Sequence, residues 1–172
     1  MKPHMGHRAV TIESRGHEFQ VVPVVKVGKK TYIPSETGDK WTDVDIHAFD
    51  RRMHSLNKRT DGNLSEAIRF VKAYMDEKVP ARYRLSGYHI ENMACEAIRN
   101  HKSCTTTTQI VRKTLSYIPG RLMMSTLDTT GESQAIDTEL GHHFSKRRKE
   151  FSRAYSDLRD SFENDVQGDE MR

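Results

Sequence analysis

The sequence contains few of the features that mark secreted or membrane proteins. Its two cysteines, Cys95 and Cys104, are too few for a disulfide framework and match no zinc-binding pattern, so we expect a reducing compartment, the cytoplasm. No stretch approaches the ~18 apolar residues of a membrane-spanning helix. No signal peptide opens the chain, and we therefore expect no membrane partner.

An excess of one charge is also missing. The 28 Lys and Arg residues outnumber the 24 Asp and Glu residues by only four over 172 residues. The one dense basic run, KRRK at 146–149, is interpreted as a solvated helix face rather than a nucleic-acid arm. Nine histidines are present, but His4/His7 and His142/His143 lack the convergent ligands that zinc needs, so we predict no metal site.

Residues 1–34 favour β-structure. Alternation predicts a strand at 8–13, a β-branched run predicts a second at 18–25, and a third is predicted at 30–34. The second strand is apolar enough to be buried on both faces until Pro23 interrupts its hydrogen bonds. Three short strands make a small sheet that needs cover.

The remaining chain favours helices. Apolar spacing predicts helices at 45–57, at 63–78, from Ser86 to about residue 98, and at 105–117 before Pro119-Gly120 ends the last of these. After an extended segment at 121–133, a long helical pattern runs from 133 to about 166, which Gly141 divides in two and in which Arg147 alone interrupts the apolar set. We expect residues 167–172 to be a disordered tail.

The stretch 63–98 reads as a helix, a basic turn and a second helix. Its first helix carries an apolar stripe, with Asn63 and Glu66 resembling a capping box, and Ser86 is a candidate N-cap of the second. Lys72 lies about 70° from the centre of the stripe at ~100° per residue, hence at the edge of the core. The stripe consists of Leu64, Ile68, Val71 and Met75, and the apolar face of the second helix consists of Ile90, Met93, Ala94, Ala97 and Ile98.

These two helices bracket a set of side chains suited to a nucleoside triphosphate. A lysine ammonium binds phosphate oxygens, a helix N-terminus offers N–H groups, and an aromatic ring can stack on a base. The same pattern also fits a surface lysine and a packed tyrosine. The bracketed residues are Lys72, Arg82, Arg84, Ser86 and Tyr88.

The order of motifs resembles the second half of the polymerase-β-like nucleotidyltransferases, in particular the cGAS-like and oligoadenylate-synthase-like branch with its bacterial cyclic-oligonucleotide synthases of antiphage signalling. The resemblance covers nearly the whole chain, and each motif alone is weak. It rests on residues 20–23, 32–34, 41–47, 67–72, 87–91 and 128–133.

The resemblance implies roles for particular residues. Lys72 would contact the triphosphate and Tyr88 would lie near the base. Gly87 stands where the family has a triphosphate-contacting serine, with Ser86 one position early. The fold implied is α+β, mainly α: a helical bundle at 35–166 with a small remnant of the catalytic β-sheet at 1–34.

The catalytic half of the family pattern is incomplete here. The family holds two Mg²⁺ ions with a DxD pair and a third Asp. Gln20 occupies the place of the third Asp, and no Gly-Ser turn precedes its strand. The pair Asp43 and Asp45 resembles a DxD motif, but it precedes a predicted helix, so we do not predict that it is catalytic.

These features leave several functions open. The leading expectation is a truncated or degenerate nucleotidyltransferase that binds ATP or GTP for second-messenger synthesis, is inactive alone and does not itself bind Mg²⁺. The chain would then need a complementary catalytic half or self-association. Alternatives are a non-catalytic module that senses nucleotide or RNA or complements another chain, and a plain helical interaction domain.

Overall fold

The fold is known from a computed structural model, which describes residues 4–5, 10–14, 17–35, 39–45, 47–101, 103–127 and 136–170. The described chain is α+β and mainly helical, with small antiparallel sheets near the N-terminus, which confirms the predicted fold class. Its contacts divide it into two units. The first is Met1–Phe49 with Asp128–Gln134, and the second is Asp50–Leu127 with Ala135–Arg172.

The first unit contains two three-stranded antiparallel sheets. One has the order β1 (His4–Met5), β2 (Val10–Ser14), β3 (His17–Val21), and the other has the order β4 (Val25–Val27), β5 (Lys30–Pro34), β6 (Trp41–Val44). The predicted strand at 30–34 is confirmed. The predicted strand at 18–25 is instead two strands, because Pro23 has no N–H to donate to a ladder.

Two further expectations for this unit are wrong. The predicted strand at 18–25 is not buried on both faces: Phe19 and Val21 are each about half exposed. The strand β6 was not predicted, and the following helix begins at Ala48 rather than at residue 45. Among the described residues of this unit, the buried apolar side chains are Ile33, Val44 and Phe49.

The described residues form five α-helices and two short 3₁₀ turns. The helices are α1 (Ala48–Arg59), α2 (Asn63–Lys78), α3 (Gly87–Ile98), α4 (Thr107–Leu122) and α5 (Lys146–Glu170), and the turns are Ala81–Tyr83 and Thr138–Leu140. Helix α4 packs against α2, α3 and α5 and is the centre of the second unit. The apolar faces predicted for α2 and α3 are confirmed, since every residue named for them is buried.

The start of α2 was predicted correctly, but its cap was not. The N-cap is Gly62, in a left-handed conformation with φ of 86°. The Asn63 side chain donates to the carbonyl of Thr105 instead of capping the helix. The Asn57 carboxamide oxygen accepts the N–H of Ser65 at 2.9 Å and fulfils the capping role.

Helix α4 runs through Pro119 and Gly120, where it was predicted to end. An interior proline costs a helix ~3 kcal/mol, because it removes one hydrogen bond and crowds the preceding turn. Burial of Ile118 and Leu122, both fully inaccessible to solvent, offsets that cost.

The long pattern at 133–166 is divided at Gly141, as predicted, but only its second part is an α-helix, since the described residues before Gly141 form a 3₁₀ turn. Gly141 has φ of 79° and ends the second 3₁₀ turn, and α5 begins five residues later. Residues 133–135 and 171–172 lie outside the described chain. Residues 167–170, predicted to be disordered, are the last turn of α5.

Candidate functional site

The predicted nucleotide-binding residues lie at the junction of α2 and the amino end of α3. Ser86 is the N-cap of α3, as predicted, and its Oγ accepts the backbone N–H of His89 at 3.2 Å. That bond uses an acceptor lone pair, so the hydroxyl hydrogen can still be donated to a ligand. The site is therefore built on a capped helix start, where the first N–H groups have no partner within the helix.

Lys72 on α2 reaches this helix start. Its Nζ lies 3.1 Å from the position that a Cβ on Gly87 would occupy, so the missing side chain at 87 gives the ammonium its place. The structure thus places Lys72 beside Gly87 and the adjacent N-cap Ser86, and the nucleotide-binding role of these residues stays a prediction. A serine at 87, as in the resembling family, would place its Cβ against the same ammonium.

Glu91 is a residue of this site whose role the sequence did not predict. Its Oε1 lies 2.5 Å from Lys72 Nζ, and both side chains are about one third exposed, at 29% and 31%. Because Glu91 lies one turn below Gly87, it holds the ammonium over the helix start. An incoming phosphate has to compete with this carboxylate for Lys72.

The other bracketed residues are more dispersed. Tyr88 is half-buried at the second position of α3. Arg84 donates to the carbonyls of Asp76 and Val79 and thereby caps the C-terminus of α2. Arg82 lies over the ring of Tyr83. The contacts of Arg84 thus serve the end of α2 rather than the candidate site.

The candidate catalytic carboxylates are engaged elsewhere. Asp43 on β6 forms an ion pair with Lys30 at 2.7 Å, and Asp45 accepts the N–H of His47 at the turn into α1. Gln20 lies on β3, where its backbone is opposite Thr11 of β2. Across the described residues, no group of three His, Cys, Asp or Glu side chains is arranged to hold a metal ion. Asp43 and Asp45 thus have partners within the protein.

The second unit also contains a buried ionic centre that the sequence did not reveal. Arg148 and Asp137 are both fully inaccessible and form an ion pair at 2.9 Å. The guanidinium also donates to the carbonyls of Leu122, Met124 and Gly141. The basic run at 146–149 was predicted to be a solvated helix face. That prediction is wrong for its third residue, Arg148, which is in the core.

The ionic centre sets the protonation of its neighbours. Burial alone would raise the pKa of Asp137, but hydrogen bonds from Arg148 and the N–H of Thr126 lower it overall. Burial lowers the pKa of His89 to about 4, against partial opposition from Asp137, whose carboxylate is 3.9 Å from Nε2. His89 is therefore neutral at pH 7, and its Nε2 makes no hydrogen bond.

The comparisons with known proteins identify no family. No family model matches the chain, and no curated protein matches it either.

Both cysteines are free thiols. Among the described helices, none combines the length and apolar character needed to cross a bilayer.

Proposed function

We propose that the second unit binds the triphosphate of ATP or GTP at the amino end of α3, as in the nucleotidyltransferases that the sequence resembles. The observation that carries this proposal is the position of the Lys72 ammonium beside Gly87, at the helix start capped by Ser86. A point charge beside a helix N-terminus suits a phosphate. The cellular setting proposed is cytoplasmic second-messenger signalling.

The chain acts in this proposal as a binding unit rather than a complete enzyme. Gln20 supplies a neutral amide where the family has a carboxylate, and Asp43 is bound by Lys30. Mg²⁺ would enter as the counter-ion of the nucleotide. We therefore expect binding without release of pyrophosphate unless a second chain supplies the catalytic carboxylates.

Calorimetric titration with ATP and GTP tests the binding claim. We expect a Kd in roughly the sub-millimolar range, since only a few charge-assisted contacts are available. Lys72→Ala should weaken binding about tenfold, which is the loss expected for one hydrogen bond to a charged group. Glu91→Gln should strengthen it, because the competing carboxylate is removed.

Lys58→Ala is the matched control, since Lys58 is an exposed lysine on α1. The melting temperature of Lys72→Ala should stay within ~2 °C of wild type, because a partly exposed ion pair contributes little stability. Equal ATP affinity in Lys72→Ala and wild type contradicts the proposal. Pyrophosphate release that disappears in Asp43→Ala or Asp45→Ala would show instead that the chain is catalytic.

A further inference from the structure

A second candidate site lies along the start of α5, apart from the residues of the proposed triphosphate site. It is a surface groove of about 490 Å³ between the 3₁₀ turn Ala81–Tyr83 and α5. Three of its lining side chains are cationic and one is acidic, so the groove is net positive. The lining residues are Arg82, Tyr83, Lys146, Arg147, Glu150 and Phe151.

Two of the cations are held on an aromatic pair. The Arg82 guanidinium lies 4.9 Å from the centre of the Tyr83 ring, and that of Arg147 lies 5.9 Å from the Phe151 ring. The two rings meet edge to face at 5.5 Å. Phe151 is buried and Tyr83 is partly exposed, so the pair anchors both guanidinium groups and leaves part of the Tyr83 ring at the surface.

The cations of the groove do not stabilise α5. Among the described residues, Arg82, Lys146 and Arg147 form no ion pair with a carboxylate. Lys146 and Arg147 lie in the first turn of α5, where cations oppose the helix dipole. The neighbouring Arg148, by contrast, is neutralised by Asp137. The groove thus collects positive charge that the fold itself leaves unbalanced.

The groove continues along α5. A second depression of about 330 Å³ shares Tyr83 and Glu150 with it and extends to Ser161, and its two cations, Lys78 and Arg153, are balanced by Glu150 and Asp157. At 1.5 Å per residue, the path from residue 146 to 161 is about 22 Å long. The net positive charge is therefore concentrated at the start of α5, and the neutral extension gives an elongated chain room to continue along the helix.

We infer that this groove binds the phosphate backbone of single-stranded nucleic acid. Arginine guanidinium groups pair with phosphates in two-point contacts and also stack on bases. The accessible Tyr83 ring offers a further stacking surface, which an acidic peptide would not use. This site is independent of the proposed triphosphate site.

Fluorescence anisotropy with labelled 20-nucleotide U and dT oligomers, using the full chain, tests the inference. Arg82→Ala/Lys146→Ala/Arg147→Ala should weaken binding at least tenfold. The slope of log K against log salt should fall by about 2, because each phosphate contact to a single strand contributes about 0.7. Glu150→Gln should tighten binding, since it removes the acidic side chain that lines the groove together with the three cations.

The matched control is Lys58→Ala/Arg69→Ala/Arg99→Ala, which removes the same residue types from exposed positions elsewhere and should bind within twofold of wild type. Lys72→Ala should also bind the oligomers normally, even if it loses ATP. Competition of unlabelled RNA, DNA and inorganic polyphosphate against the labelled oligomers shows which of the three phosphate chains binds the groove most tightly. The inference is overturned if wild type shows no saturable binding, if the control triple variant loses as much affinity, or if polyglutamate competes as well as RNA.

Discussion

At the scale of single residues, Arg148 and Asp137 form an ion pair in which both side chains are fully inaccessible to solvent. Removing two charges from water costs several kcal/mol per ion, and the attraction between them repays this only when the remaining polar atoms are also bonded. Here the guanidinium donates to carbonyls on both sides of residues 128–135, and the carboxylate accepts the N–H of Thr126. Arg148 therefore joins the start of α5 to the end of α4.

Replacing Arg148 tests this role. Arg148→Met should lower the free energy of unfolding by about 3–5 kcal/mol, because it leaves the Asp137 carboxylate buried and unpaired. Arg147→Met, one residue earlier and exposed, should change it by less than ~0.5 kcal/mol. Urea denaturation of both variants measures the difference.

The double variant Arg148→Met/Asp137→Leu serves as the control for the pairing itself. It should be more stable than Arg148→Met alone, since no charge remains buried without a partner. A cost below ~1 kcal/mol for Arg148→Met would show that Asp137 finds another partner.

At the scale of elements, α3 and α4 each begin with a side-chain cap, and removing either cap should have a similar effect on stability. Thr106 Oγ1 accepts the N–H of Gln109, whose side chain in turn accepts the N–H of Thr106, which completes a capping box. Ser86→Ala and Thr106→Ala should each cost about 1 kcal/mol, because a helix donor loses its acceptor. Chemical denaturation measures both changes.

Thr105→Ala is the control for the caps, because the structure uses only the backbone of Thr105 in hydrogen bonds to Gln109 and Asn63. It should cost less than ~0.5 kcal/mol. If it costs as much as Thr106→Ala, the loss reflects β-branched packing in the loop rather than capping.

Elements with local signals were predictable from the sequence. The limits of α2 follow from its apolar spacing and Gly62, and the start of α3 follows from Ser86. Helix α4 was predicted to end too early, because the burial that carries it through Pro119 comes from other helices. The strand β6 was missed because its order depends on pairing with β5.

In the candidate site, too, some features could be predicted from the sequence and others could not. The helical positions of Lys72 and Gly87 could be expected, since both follow from helix limits and spacing. The ion pairing of Lys72 with Glu91 could not, because it requires the relative placement of two helices. Nor does a run of four cations indicate which one is buried, as Arg148 is, since only the tertiary contact with Asp137 selects it.

At the scale of the whole molecule, the sheets of the first unit carry exposed apolar side chains. Several are between 41% and 61% exposed, and strands β3 and β4 are edges of their sheets. Apolar edges favour association with another chain. These side chains are Phe19, Val21, Val24, Val25, Val27 and Trp41.

We therefore expect the purified chain to self-associate through this unit. Light scattering over a range of concentrations should show a rising average mass, and Phe19→Ser/Val21→Ser should reduce it. Met124→Ser/Leu127→Ser, which changes exposed apolar residues of the second unit, should leave it unaltered. A wild-type chain that stays monomeric at all concentrations would refute the expectation.

The neutral, buried His89 links folding to proton release. In the unfolded chain this imidazole has its ordinary pKa of 6.5, whereas in the folded chain the pKa is about 4. Between these values the unfolded chain binds a proton that the folded chain does not, so folding at pH 5 releases close to one proton from this residue. Its contribution to stability is fully present above pH 6.5 and is lost as the pH falls towards 4. Acidification over that interval acts directly on the turn of α3 that supports the proposed triphosphate site.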